Sequence, residues 1–265
     1  AEAGSTVKVY DGATLLGTVT ANGTGAWSLT SGQLANGTHS LTATATDLAG
    51  NVSGTSGALN VTVDTVAPTA PSITAFTPDT GVVGDSVTSA NIVTVSGAAE
   101  ANSAVKVYDG ATLLGTVTAN GTGAWSFTTS ALTGGTHSFT ATATDAAGNV
   151  SSASAATNVT VEAAPGTPAI TSVSPDTGVP NDGITDANVL TIKGAAEAGS
   201  TVKVYDGATL LGSVVAGTTG AWSFTSLALA NGTHSFTATA TNLAGTTSAA
   251  STSVNMTVDT VAPTT

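Results

Sequence analysis

The sequence predicts an all-β chain of tandem sandwich domains, and three observations carry that expectation. The stretch VKVYDGATLLGTVTANGTGAWS fills Val7 to Ser28, returns unchanged at Val105 to Ser126, and recurs in diverged form at Val202 to Ser223. Apolar residues alternate with Thr and Ser or cluster in short β-branched runs, as strands require. Glycine-containing pairs punctuate those runs at turn spacing, and helix signals are absent.

The repeat sets the domain organisation. Tyr10, Tyr108 and Tyr205 stand 98 and then 97 residues apart, and Trp27, Trp125 and Trp222 keep the same offsets. A period near one hundred residues is too long for a solenoid turn and suits an independent domain with its own core. The expected division is a partial repeat over 1–64 whose first strands are absent, full repeats over 65–162 and 163–259, and the start of the next linker at 260–265. AEAGS at Ala1 matches AEANS at Ala99 and AEAGS at Ala196, which lie inside their repeats. Two readings of that offset stand: a slice of a longer protein, or strand exchange in which a neighbouring molecule supplies the missing strands.

In repeat two the expected strands run Asn91 to Gly97, Ala104 to Gly110, Thr112 to Gly121, Ala124 to Leu132, Thr136 to Asp145 and Thr157 to Ala163. The pairs Asp109-Gly110, Asn120-Gly121, Gly134-Gly135 and Gly148-Asn149 separate them. In HSFTATATD, Phe139, Ala141 and Ala143 share one face and Thr140, Thr142 and Thr144 the other, the pattern of an antiparallel strand buried on one side. About seven short strands per hundred residues indicate a sandwich of immunoglobulin type without the cysteine pair. Trp125 with Phe139, Trp222 with Phe236, and Trp27 with Leu41 are the expected core anchors.

Composition excludes several classes of function. Charged residues make up 8% of the chain, with sixteen acids against four basic residues and a net charge of −12. Nucleic acid is not an expected partner, because little here could neutralise phosphates. A basic membrane-binding surface fails for the same reason, and no apolar run reaches the length of a bilayer span. With no cysteine, disulfides and thiolate chemistry are unavailable. No signal peptide opens the chain, and the Thr, Ser, Ala and Gly-rich repetition suggests an extracellular setting.

The order of the YDG, GAW, GTHS, ATDxAGN and DTxAP elements, followed by VDTVAPTAPSI, resembles the bacterial immunoglobulin-like repeats of giant surface adhesins. These are the biofilm-associated and type I-secreted proteins, and the similarity covers the whole chain. It implies an extended rod at the bacterial cell surface, made rigid by calcium at the joins, whose partners are neighbouring repeats of the same chain. It also leaves room for identical chains joined in a fibre.

The acids give calcium a chemical basis, since that ion prefers six to eight oxygen ligands on loops. Asp64 at the first join, Glu100 in GAAEAN and Asp145 in TDAAGN are expected at one junction, with Glu197 in the place of Glu100 in repeat three. The other end gathers Asp79 and Asp85 from PDTGVVGDS beside Glu162 at the second join. Repeat three offers Asp176, Asp182 and Asp186 in PDTGVPNDGITD. The bland alternative is that these are Asx-turn residues, and Asp109 reads most simply as a hairpin-turn residue. At the second junction Glu162 replaces aspartate and Asn242 replaces the loop acid, so that join is expected to bind calcium weakly or not at all and to act as a bend.

Other features read as structural. His39, His137 and His234 occur once per repeat, too far apart in sequence for one metal site. The Asn-x-Thr sequons at Asn22, Asn120 and Asn231 are turn asparagines beside strand threonines. No nucleophile elbow or phosphate loop occurs, and catalysis is not expected. Three functions compete: a structural stalk of an extracellular adhesin supporting cell adhesion and biofilm formation, a self-assembling filament with strand exchange between chains, and a carbohydrate-binding module.

Overall fold

The computed structural model of the chain describes residues 1–264, all in strands, turns and irregular segments, so Thr265 of the expected linker start at 260–265 lies outside the described residues. Repeat one contributes β1 (Thr6–Asp11), β2 (Thr14–Thr20), β3 (Gly37–Thr46) and β4 (Leu59–Val63). Repeat two contributes β5 (Ser72–Thr77), β6 (Val87–Thr88), β7 (Thr94–Ala98), β8 (Ala104–Asp109), β9 (Thr112–Thr118), β10 (Ala124–Thr128), β11 (Gly135–Thr144) and β12 (Thr157–Val161). Repeat three repeats that order as β13 (Ala169–Ser174), β14 (Ile184–Thr185), β15 (Thr191–Ala195), β16 (Thr201–Asp206), β17 (Thr209–Val215), β18 (Ala221–Thr225), β19 (Gly232–Thr241) and β20 (Val254–Val258).

Repeats two and three are each two sheets around one core. In repeat two a three-stranded sheet, β10-β7-β5, accompanies a five-stranded sheet, β6-β12-β11-β8-β9. Every pairing is antiparallel except the short β6 on β12. The six strands read from the sequence are all present, with ends shifted by at most four residues. β11 is the central strand, and its alternation works as expected: Phe139, Ala141 and Ala143 are fully buried while the threonines between them are not. Val93, Val95, Val105, Val107, Trp125 and Phe139 form the core of repeat two. Burying each of these larger side chains is worth about 1.5–3 kcal/mol before conformational entropy is counted. Gly97 in β7 is needed for close approach, since a Cβ there would strike the Ser72 carbonyl and press on the Trp125 ring.

Repeat one departs from the expected core. Its strands form a single sheet, β2-β1-β3-β4. Trp27 is 39% exposed, against 4% for Trp125 and Trp222. Trp27 and Leu41 therefore line an open apolar cleft with Val9, Leu29 and Leu59 rather than anchoring a closed core. The reason is pairing: no counterpart of β5 or β7 faces this sheet among the described residues, so Ala26–Thr30 has no strand to join and stays irregular.

Candidate interdomain joints and acidic loops

The joint between repeats two and three is built from the loop after β5, the end of β12 and the loop after β19. Thr80 donates its hydroxyl to the Ala244 carbonyl at 2.9 Å, and the Val82 N–H reaches the Leu243 carbonyl at 3.2 Å. In the reverse direction the Asn242 amide donates to the Ala163 carbonyl at 2.7 Å, and the Ala244 N–H donates to Glu162 Oε2 at 3.3 Å. Gly81, at φ +80°, lies so close to Leu243 and Gly245 that any side chain there would collide with backbone. The docking buries Ala244 to 1% exposure, whereas its counterpart Ala147 in repeat two is exposed.

The joint between repeats one and two uses a different donor. Here Asn149 donates its side-chain amide to the Asp64 carbonyl at 3.0 Å. Asn149 and Asp145 open and close one loop, and their counterparts in repeat three are Thr246 and Asn242. The amide that crosses the joint has moved from the fifth position of the loop to the first. The outgoing linker is also pinned differently. Asn36 accepts both the N–H and the hydroxyl of Thr65, and Asp64 Oδ1 accepts the Val66 N–H in an Asx turn. Asn231, Thr260, Asp259 and Val261 repeat that arrangement at the end of repeat three. Repeat two has Gly134 in place of Asn36, and Asn242 of the following repeat holds its linker instead.

The expected acidic junction is only partly assembled. Asp64 and the Asp145 loop meet through Asn149, but among the described residues no three acids or histidines converge on one point. Both oxygens of Asp145 are taken by the Asn149 backbone N–H and side-chain amide, each at 2.8 Å. The Asn149 side-chain amide, working against burial and helped by backbone N–H groups, holds the Asp145 carboxyl below its ordinary range. Glu100 and Glu197 are exposed, and their main-chain carbonyls close tight turns with Ser103 and Ser200. Asp186 sits with Thr177 and Asp259 around a shallow cavity at the far end of repeat three. Glu162 is engaged in the second joint, as described.

The PDTG loops differ. Asp79 Oδ2 accepts the Gly84 N–H and Asp85 Oδ1 accepts the Val87 N–H, yet Asp79 Oδ1 and Asp85 Oδ2 are buried with no partner. In repeat three Asp176 Oδ2 takes the Asn181 N–H and Asp182 Oδ1 takes the Ile184 N–H, and Asp176 Oδ1 is again orphaned. A buried carboxylate oxygen without a hydrogen bond is costly unless a cation satisfies it. Hard oxygen donors of this kind fit calcium, whereas each oxygen of Asp145 already accepts a hydrogen bond from Asn149. Thr80 and Val82 carry part of the joint contact with no signal in the sequence, and Asn149 reads there only as half of a turn pair. The clue lies in a shift between repeats: the asparagine at the fifth position of the loop in repeat two, Asn149, is at the first position in repeat three, Asn242.

The family description "Bacterial Ig-like domain" (Big_13) matches residues 1–65, 67–163 and 164–260, which is nearly the whole chain. The chain belongs to this family. It is a family of Ig-like fold and not a catalytic one. Exoglucanase B of Cellulomonas fimi is 35% identical over 271 residues, covering 95% of this chain, and the chain spans 23% of that enzyme's length. Among solved structures, a tetra-tandem repeat from the extending region of a large adhesion protein is 23% identical, with a TM-score of 0.36, over 98% of this chain and 68% of that one. A fragment of a 1.5-MDa bacterial ice-binding adhesin is 19% identical, with a TM-score of 0.39, over 96% and 85%.

Proposed function

We propose that these bacterial Ig-like repeats are a structural spacer of an extracellular adhesin, a stiff array that holds an adhesive part away from the cell and so supports adhesion and biofilm formation. The observation that carries the reading is the joint between repeats two and three. Among the described residues, four hydrogen bonds cross it in both directions. The linker there also holds Pro165 and Pro168, whose fixed φ favours extended chain over collapse. A joint of this kind is a docked contact, and docked contacts transmit length. Small-angle scattering of the chain tests it: an elongated particle is expected, and a compact one overturns the spacer reading.

Calcium stiffening is part of the proposal. Asp79 and Asp85, with Asp176 and Asp182, are the residues that would hold the ion, which would neutralise the crowded carboxylates and fix each loop against its joint. Thermal unfolding followed by tryptophan fluorescence, in excess calcium and in EDTA, is the test. A higher midpoint in calcium is expected, because a ligand that binds only the folded state stabilises it. Asp79→Asn with Asp85→Asn then removes part of the rise. Superimposable curves would retire calcium and leave the spacer standing.

The 35% identity to an exoglucanase favours a second reading, in which the same array spaces the parts of a secreted polysaccharide-degrading enzyme. Retention of the isolated chain on cellulose would favour that reading over the adhesin.

A further inference from the structure

Each repeat holds one histidine, and all three sit in the same cage. His39 Nδ1 lies 2.6 Å from Asp11 Oδ2, and its Nε2 lies 2.8 Å from the Ala35 carbonyl oxygen. His137 is set 2.7 Å from Asp109 and 2.9 Å from the Thr133 carbonyl, and His234 2.6 Å from Asp206 and 2.9 Å from the Ala230 carbonyl. The second oxygen of each aspartate accepts a backbone N–H, from Ser40, Ser138 or Ser235. The imidazole side chains are no more than 13% exposed.

A carbonyl oxygen and a carboxylate can only accept. A neutral imidazole has one N–H and one lone pair, so one of its two contacts would set lone pair against lone pair at under 3 Å. Only the doubly protonated ring donates to both partners. Moving that proton to the aspartate would also satisfy both contacts, but a carboxyl is ordinarily a far stronger acid than an imidazolium, so the ion pair is the favoured form. We propose that the three histidines are imidazolium cations at neutral pH, each a pH-sensitive clasp between the hairpin turn after β1, β8 or β16 and the start of β3, β11 or β19.

The surroundings leave the clasp to this pair. Across the sheet the rings face Val61, Val159 and Met256, and His137 and His234 stack on Phe139 and Phe236. Among the described residues the aspartate is the one charged group acting on each ring. For His39 the Asp11 hydrogen bond is the largest influence and raises the pKa, with the Ala35 carbonyl adding to it. For His137 and His234 burial is the largest influence and lowers it, but the carbonyl and the aspartate together outweigh burial, so the net direction is again upward. A pKa raised on folding gives stability that is complete below the unfolded value, about 6.5, and is lost as pH climbs through the folded value. The array therefore loosens on the alkaline side. The formal net charge of −12 counts these residues as neutral, so with all three protonated the net charge of the folded chain is three units less negative than that sum.

The test is a side-chain ¹⁵N titration of the intact chain from pH 5 to 10. All three rings are expected to show two protonated nitrogens at pH 7.5 and to titrate above the ordinary histidine value. A singly protonated ring at pH 7.5, or midpoints at or below about 6.5, overturns the proposal. Asp109→Asn adds a local control: the His137 midpoint should fall while those of His39 and His234 stay in place. A His137 midpoint that does not move also overturns the clasp. Should that variant fail to fold, the wild-type titration decides alone.

Discussion

Repeats one and two share twenty-two consecutive residues and do different things with them. In repeat two, Trp125 is sealed in the core and Ala124–Thr128 is a strand paired with β7. In repeat one, Trp27 is 39% exposed, and the corresponding run Ala26–Thr30, with Leu29 in place of Phe127, joins no strand. By contrast, β1 and β8 form the same hairpin in both places, down to the register shift one residue before the tyrosine. Local sequence thus writes the hairpin, while burial of the tryptophan is written some thirty residues upstream, by the strands that cover it. A β-sandwich is stable only when both sheets close on one core.

That contrast predicts its largest effect at the tryptophans. Trp125→Ala empties a closed core and should cost about 3–5 kcal/mol. Trp27→Ala removes a ring that is already partly in water and should cost a fraction of that. Differential scanning calorimetry of the two variants checks it. Equal losses would mean that the face of repeat one is covered in solution, and would break the comparison.

The same contrast marks what the sequence makes legible. Alternation in HSFTATATD and the Asp109-Gly110 turn depend on neighbours in the chain, so they can be read directly, and the tandem period follows from the repeated letters. β5 and β6 leave no such trace, because SITAFT does not alternate cleanly and a two-residue strand has no pattern of its own; β6 exists through its pairing with β12, more than seventy residues later. The PDTG acids were legible as candidates, but not which of their oxygens would lack a partner. The histidines look structural from the sequence, and the fuller answer lies in a constant separation: each stands 28 residues after its aspartate in all three repeats.

A smaller effect separates Gly115 from Gly17, which occupy the same place in β9 and β2. A methyl added at Gly115 would press on the Phe127 ring, which belongs to β10 and is held in its sheet. At Gly17 the obstacle is the end of Leu29, on the irregular run of repeat one. Overpacking a constrained neighbour costs about 1–3 kcal/mol, so Gly115→Ala should lower the unfolding free energy of repeat two by that amount, read as a lower unfolding midpoint. Gly17→Ala should be close to neutral, since Leu29 is free to turn away. A Gly17→Ala penalty as large as that of Gly115→Ala would show that Leu29 is held as firmly as Phe127.

The smallest effect tests whether the two joints are one device with its donor in two places. Asn242→Ala removes the amide that reaches Ala163, a loss of about 1 kcal/mol in docking with the cores untouched. It should register as faster hydrogen exchange at the Ala244 amide, which Glu162 otherwise holds, while the β19 amides keep their protection. Asn242→Asp is expected to be worse than Ala, because it puts a carboxylate against the Ala163 carbonyl with Glu162 nearby. Adding Thr246→Asn to that variant recreates the loop of repeat two, in which the acid binds the amide and the amide crosses to the preceding linker. Protection should return to most of its original level. If the double variant stays as weak as Asn242→Asp alone, the fifth position cannot reach across the second joint, and the two joints are separate solutions rather than one.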